Sequence, residues 1–446
     1  MFLANVWAYL ILPKGLSLLN SHFMTILVRK ALIKDIHSPH HNKRMDILLS
    51  DGMIAEIAEQ VETVADQLID IPGISVSPGW IDLFVKGTDP GFEFKDDLNS
   101  VAASASKGGF THLFLTPNTQ PVTQNKTGVQ YINNHQSPQP VSLHPIGAVT
   151  KNTDGKELSE MFEMRQTGAI AFSDGTKSIQ SAGLLIKALQ YVNAFDGIII
   201  QLPDAHSVAP HGLMHEGIVS TQVGLPGKPA LAEEIMVARD IELLRYTNSR
   251  LHLTGISLST SVDMIRKAKK EGLNITCSTT PYHLVFTDMS LLTGYDTNLK
   301  VNPPLRTEKD RQALIAAVKD GTIDCITTHH KPQNIDAKIC EFEYAGLGMI
   351  GLESAFGVLG MAGLEVDEIL QLICYNPRKI FSLESDISVG KSADLTIFNE
   401  QTEWTFNSSD IKSKCSNSPF IGTLLKGEVI ATILNTNINS NKKHGK

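Results

Sequence analysis

The sequence predicts an α/β fold, a (β/α)8 TIM barrel with a small β-sandwich module formed by both chain ends. Three observations carry that prediction. The middle of the chain alternates short apolar runs with longer helical patterns, which is the signature of βα units and a parallel sheet. Those apolar runs number eight, the count that closes a barrel. Both ends instead read as β-rich runs punctuated by Gly390, Gly422 and Gly427 or by the Asp51-Gly52 turn.

Taken in order, residues 1–23 form an N-terminal extension. Its apolar run is broken by Pro13 and Lys14, lacks a basic start and a small-residue cleavage site, and is too short to span a bilayer. From Met24, "TILVRKALI" and "MDILLSDGMIAEIAE" read as strands. Near the other end, "GKSADLTIFN", "EWTFN" and "FIGTLLKGEVIATIL" read alike, so residues 24–78 plus 385–435 are assigned to one β module and 436–446 to a polar tail. Residues 79–384 are the barrel, with strands expected at 80–85, 111–116, 142–149, 169–173, 197–202, 250–256, 274–279 and 324–328. Helical patterns such as "SVDMIRKAKKEG" and "EKDRQALIAAVKDG" return the chain between them. An open doubly wound sheet would want a G-x-G-x-x-G turn after its first strand, and "FVKGTDPG" matches that poorly.

Composition narrows the class of function. The 446 residues are 42% hydrophobic and 19% charged, as in a soluble globular protein. A net charge of -8 without a concentrated basic face argues against nucleic acid as a partner. Five scattered cysteines without a Cys-x-x-Cys pair suit reduced thiols in the cytoplasm. No P-loop, EF-hand or G-x-S-x-G elbow is present, so Ser173, Thr327 and Thr328 have no nucleophile context. His206, His211 and His215 in "AHSVAPHGLMHEG" follow no established zinc spacing and read as part of a loop near the barrel mouth.

Barrel chemistry sits where strands end, so the residues closing each run matter most. The strings "PGWIDLFVKGTDPG", "TPNTQP", "AFSDG", "TTPYHLVFTD" and "NLKVNPPLRTEKDRQALIAAVKDGTIDCITTHHKPQ" together resemble the dihydroorotases of the amidohydrolase superfamily. The resemblance runs from Met24 to about Ile433. It implies a barrel with a flanking sheet and, in active members, one or two zinc ions that activate a water to open a cyclic amide. It also implies where ligands should stand. The His-x-His of the first strand falls on Phe84 and Lys86, and the arginine that grips substrate carboxylate on Thr88. The ligand histidines after the fifth and sixth strands fall on Gln201 and Gly255. "THHKPQ" puts His329 at the Asp that is ligand and base, and Gln333 at the terminal His. Only Asp174 keeps an acidic residue at a ligand position.

Bound zinc lowers the pKa of its water from about 15.7 to about 7, on the order of 11 kcal/mol if fully felt, and no residue here restores that. The sequence therefore suggests a non-catalytic homologue with no cofactor expected, zinc being the metal of active relatives. By the same resemblance it would be a cytoplasmic homo-oligomer of pyrimidine biosynthesis and a partner of aspartate carbamoyltransferase. Two alternatives stand beside it. One is a cyclic amidohydrolase with a site rearranged around Asp174, His329, His330 and His283, the first three being the residual metal candidates. The other is a module that binds a carboxylated ligand through Asn118, Asn302 and Arg306. Lys86 is expected to take the place of a lost cation by pairing with Asp174, since a buried carboxylate wants a counter-charge.

Overall fold

The computed structural model describes residues 24–441, so the extension assigned to 1–23 lies outside the described residues. Eight parallel strands stand in sequence order around the barrel: Trp80–Val85, Phe110–Leu115, Ser142–Gly147, Ala171–Phe172, Ile199–Gln201, Leu251–Leu253, Ile275–Thr279 and Cys325–Ile326. All eight fall inside or within a residue of the runs expected from sequence. The seam between first and last is drawn shut by the Lys86 amide donating to the His330 carbonyl at 2.9 Å. Asp82 reinforces it, accepting from the Thr328 amide at 2.9 Å and the Thr328 hydroxyl at 2.5 Å.

The strands are short because their exits leave regular geometry to aim side chains at the mouth. Gly255 has φ +72° and His329 φ +48°, both left-handed. On the first strand an irregularity lies between Asp82 and Val85, where the Asp82 carboxylate accepts from the Phe84 amide at 3.1 Å. Alternation beyond it turns Phe84 and Lys86 to the same side.

Helical returns carry the expected stop and start chemistry. Leu98–Gly108 is capped by Asp97, whose carboxylate accepts from the Ser100 amide, and Glu308–Lys319 is capped by Thr307. Their apolar faces pack on the outside of the strands through Val101, Ala105, Leu314 and Ala317, while Ile81, Leu83, Phe114, Ile146 and Ile200 fill the barrel's inside.

The chain ends build a separate eight-stranded sheet with its own core of Val28, Ile33, Ile47, Val76, Leu395 and Ile433. Its main path runs from Asn437–Ser440 through Leu424–Leu434, Asp394–Thr405, Ser75–Pro78, Thr25–Ile33 and Arg44–Ser50 to Met53–Ala58. Asn437–Ser440 thus corrects the polar tail: it pairs with Leu424–Leu434 as an edge strand, where polar side chains are tolerated because one side faces water. Sheet and barrel are riveted at Asp394, which accepts from Arg378 Nη2 at 2.6 Å and Thr111 Oγ1 at 2.7 Å and lies 3.1 Å from His112 Nε2. Burial would raise this carboxyl, but His112 and Arg378 hold it well below its ordinary range.

Candidate functional site

The barrel mouth holds three connected hollows. An inner chamber of about 180 Å³ is lined by Phe84, Lys86, His329, His330 and Lys331 among others. It shares Lys86, Thr176 and Lys331 with an outer cleft of about 490 Å³ over strands one, two, four and eight. An adjoining hollow of about 570 Å³, which shares Thr153, Thr176 and Lys177 with the cleft, is lined by Asp154, Asp174, Asp204, Lys228 and Asn302 among others.

The inner chamber is packed where the resemblance would set a metal. The rings of Phe84 and His329 lie 4.8 Å apart. A Cβ added to Gly255 would come within 2.9 Å of His329 Cε1 and 3.0 Å of Leu202 Cδ1, so the missing side chain of Gly255 makes room for the histidine. Nε2 of His329 lies 2.8 Å from Thr254 Oγ1. Burial, with His283, His252 and Lys331 nearby, pushes its pKa down to about 3, so the ring is neutral.

His330 faces a different set of partners. Its Nδ1 accepts from the amides of Gly351 and Leu352 at 3.2 and 3.4 Å, which places the ring proton on Nε2, 3.3 Å from Asp96. Asp96 also accepts from Ser413 and Lys414, so this histidine ties strand eight to a C-terminal loop. Asp174 accepts from the Thr150 amide at 2.8 Å and hydroxyl at 2.5 Å, and burial pushes its pKa up to about 6. The three residual metal candidates are therefore not brought together. Among the described residues no three His, Cys, Asp or Glu side chains converge as a metal set.

Other expectations need correcting. Lys86 does not pair with Asp174; its ammonium donates to the Asn118 carbonyl, because Thr150 already holds the carboxylate. Gln201 is turned away from the mouth and meets the backbone of Ile179 at 3.4 Å, while its neighbour Leu202 lines the chamber. Arg306 does not reach any of the three hollows: Glu233 at 3.3 Å, Ser257 at 2.9 Å and His215 at 3.2 Å consume its guanidinium. Asn118 lines the outer cleft, but its amide is spent on the Asp174 carbonyl and the Thr176 amide. Asn302 lines the inner chamber and the acidic hollow, held by Lys228 at 2.9 Å and Asp204 at 3.0 Å.

The remaining positions are structural anchors in the same way. Thr88 donates to the Asp96 carbonyl at 2.7 Å, and Gln333 accepts from Lys95 at 2.8 Å while donating to the Leu347 carbonyl. His283 is buried between Thr280 and the Pro304 carbonyl, and burial pushes its pKa down to about 3. Of the loop histidines, His215 sits against Arg306, His206 borders the acidic hollow, and His211 is exposed.

Sequence reasoning missed Lys95, Lys177 and Lys331, which line the outer cleft with Lys86. A signal existed in "FVKG", "SDGTK" and "HHKPQ", where strands one, four and eight each leave the barrel through a lysine.

Comparison with known proteins places this architecture. A model described as dihydro-orotase-like matches residues 73–261, and one described as the amidohydrolase family matches 207–438. A protein of Ruminiclostridium cellulolyticum named dihydroorotase is 40% identical over 418 residues, spanning 92% of this chain and 97% of that one. The chain belongs to the dihydroorotase-like amidohydrolase family. The dihydroorotase of Acetivibrio thermocellus is similar at 41% identity over 404 residues, covering 89% of this chain and 95% of its own. In structure, the L-hydantoinase of Arthrobacter aurescens superposes with a TM-score of 0.80 at 22% identity, covering 95% of this chain and 97% of its own, a likeness of fold. Among the described residues no helix is long and apolar enough to cross a membrane.

Proposed function

We propose that this dihydroorotase-like chain serves pyrimidine biosynthesis without zinc chemistry of its own, as a cytoplasmic, homo-oligomeric, non-catalytic partner of aspartate carbamoyltransferase. One observation supports the non-catalytic part above others: at the positions where family resemblance would put ligands, Phe84 and Gly255 both pack against His329. The residues present do not fit a zinc ion. Phe84 and Gly255 offer no donor, His329 Nε2 is bonded to Thr254, His330 Nδ1 takes two backbone amides, and Asp174 is held by Thr150. A zinc site needs at least three converging donors with supporting hydrogen bonds. The partner role rests on the resemblance and on retention of the full barrel and sheet.

The reading is tested by assaying purified protein for interconversion of dihydroorotate and carbamoyl aspartate, with and without added zinc, beside the Ruminiclostridium cellulolyticum relative. Turnover indistinguishable from buffer in both conditions is expected. Zinc-dependent turnover abolished by chelation would establish instead the activity for which its relatives are named. The partner role is tested by mixing the chain with aspartate carbamoyltransferase of the same organism. A larger co-eluting species is expected, and independent elution at micromolar concentration would remove it.

A further inference from the structure

We propose that the lysine-lined side of the barrel mouth binds a small organic phosphate. The outer cleft brings together Lys86, Lys95, Lys177 and Lys331 from the exits of strands one, four and eight. Among the described residues no carboxylate and no arginine lines this cleft or the inner chamber beneath it. The acidic residues of the mouth, Asp154, Asp174 and Asp204, border the adjoining hollow, whose rim Lys177 shares with the cleft.

The ammonium groups are poorly compensated by protein. Lys86 donates to one backbone carbonyl, and Lys95 to the neutral side-chain oxygen of Gln333. Lys331 has no hydrogen-bond or ion-pair partner for its ammonium among the described residues, and the exposed Lys177 feels the Asp174 carboxylate only through space, without a hydrogen bond or ion pair to it. Such a concentration of like charge in a half-buried hollow is costly alone and favourable once an anion enters. Burial and the mutual repulsion of these lysines push Lys86 down to about 7, and burial with Lys95 pushes Lys331 down to about 8, which agrees with a site short of negative charge.

The number of ammonium groups favours a multiply charged anion. Lysine binds phosphate as a point charge, and a phosphate monoester near neutral pH brings about two negative charges and three acceptor oxygens on one group, against one charge for a carboxylate. The cleft's volume of about 490 Å³ leaves room for an organic body beyond the phosphate, and Phe92, with Lys86 Nζ 5.8 Å from its ring centre, supplies an apolar wall. The inference goes beyond the proposed function, since it concerns a ligand and stands whether or not a partner enzyme is bound.

Calorimetric titration and thermal shift in metal-free, low-salt buffer test it, using pyrophosphate, ribose 5-phosphate and ATP as probes. Dihydroorotate, carbamoyl aspartate and chloride of matched ionic strength are the controls. Stabilisation by at least one phosphate probe at millimolar concentration is expected, beyond the salt control. Lys177→Met and Lys331→Met should each weaken that binding roughly tenfold or more, whereas Lys319→Met, an exposed lysine outside the cleft, should leave it unchanged. Binding confined to the two carboxylates, no shift beyond chloride, or undiminished affinity in both cleft variants would each overturn the proposal. Far-ultraviolet circular dichroism of the variants separates lost binding from lost fold.

Discussion

At the scale of single residues, Lys86 and Gly255 make opposite demands. Lys86 keeps a charge in a site that disfavours it, so Lys86→Met should stabilise the protein by about 1–3 kcal/mol at or below neutral pH. The sign follows from its pKa, lowered to about 7 in the fold against 10.5 unfolded: the cost is fully present below 7 and is lost as pH rises toward 10.5. Urea denaturation at about pH 6 and about pH 9.5 checks this, and a gain that grows at the higher pH would contradict it. Gly255→Ala should cost about 1–3 kcal/mol, because an alanine at φ +72° is strained and its Cβ meets His329 at 2.9 Å. A drop in denaturation midpoint with unchanged slope would show it. The identities at positions 84, 86, 255 and 329 were legible in the sequence because long matching strings fix their alignment. Side-chain direction was not, as Gln201 and Arg306 show, since a one-residue turn of a strand exit or one buried glutamate redirects a side chain. Of the lysine cluster only Lys86 stood out in the sequence, as a replacement cation; Lys95, Lys177 and Lys331 each read alone as solvated surface residues, and the lysines at the exits of strands one, four and eight become a cluster only through barrel closure.

At the scale of elements, the weak point is the seam between first and last strands, whose pairing rests on few bonds. Asp82 supplies three acceptor contacts there, to Thr328 twice and to Phe84, from a fully buried position. Burial raises its pKa while those hydrogen bonds oppose the rise. Asp82→Asn should lose one acceptor oxygen and leave a backbone or hydroxyl donor unpaired, costing about 1–3 kcal/mol. Hydrogen exchange resolved by peptide should accelerate at residues 80–86 and 324–330 ahead of the rest of the barrel. Uniform acceleration would mean that the seam does not open by itself. The eight strands were legible because apolar runs separated by helical periods survive any detail of loop sequence. Their ends were not, because the exits trade ladder bonds for side-chain aim. Asn437–Ser440 escaped notice since an edge strand needs neither apolar alternation nor β-branched residues when its neighbour supplies the register.

At the scale of the whole molecule, acid should unfold this protein through its buried histidines. Burial, aided by neighbouring cations or rings, pushes His144, His252, His283 and His329 down to about 3 and His215 down to about 4. Each has a folded pKa below the ordinary 6.5. The unfolded chain therefore takes up protons first, and stability falls as pH drops below 6.5 until the folded values are reached. Five carboxylates work the other way. Burial raises Asp174 and Asp240 to about 6 and lifts Asp82, Asp288 and Asp324 above 3.8, so their folded-state cost is relieved as pH falls from each folded value toward 3.8. All five histidines take up protons in the unfolded chain between pH 7 and pH 5, whereas only part of the carboxylate relief falls in that range, so the net loss there should be on the order of a few kcal/mol. Denaturant midpoints across that range should fall steadily. His329→Gln should flatten the slope by about one proton, because glutamine can still meet Thr254 without titrating. A slope left unchanged by His329→Gln would mean that this histidine reaches solvent and charges within the folded barrel. The packed chamber of Phe84, Gly255 and His329 would then have to open on its own, and with it the basis for treating that chamber as closed to a metal.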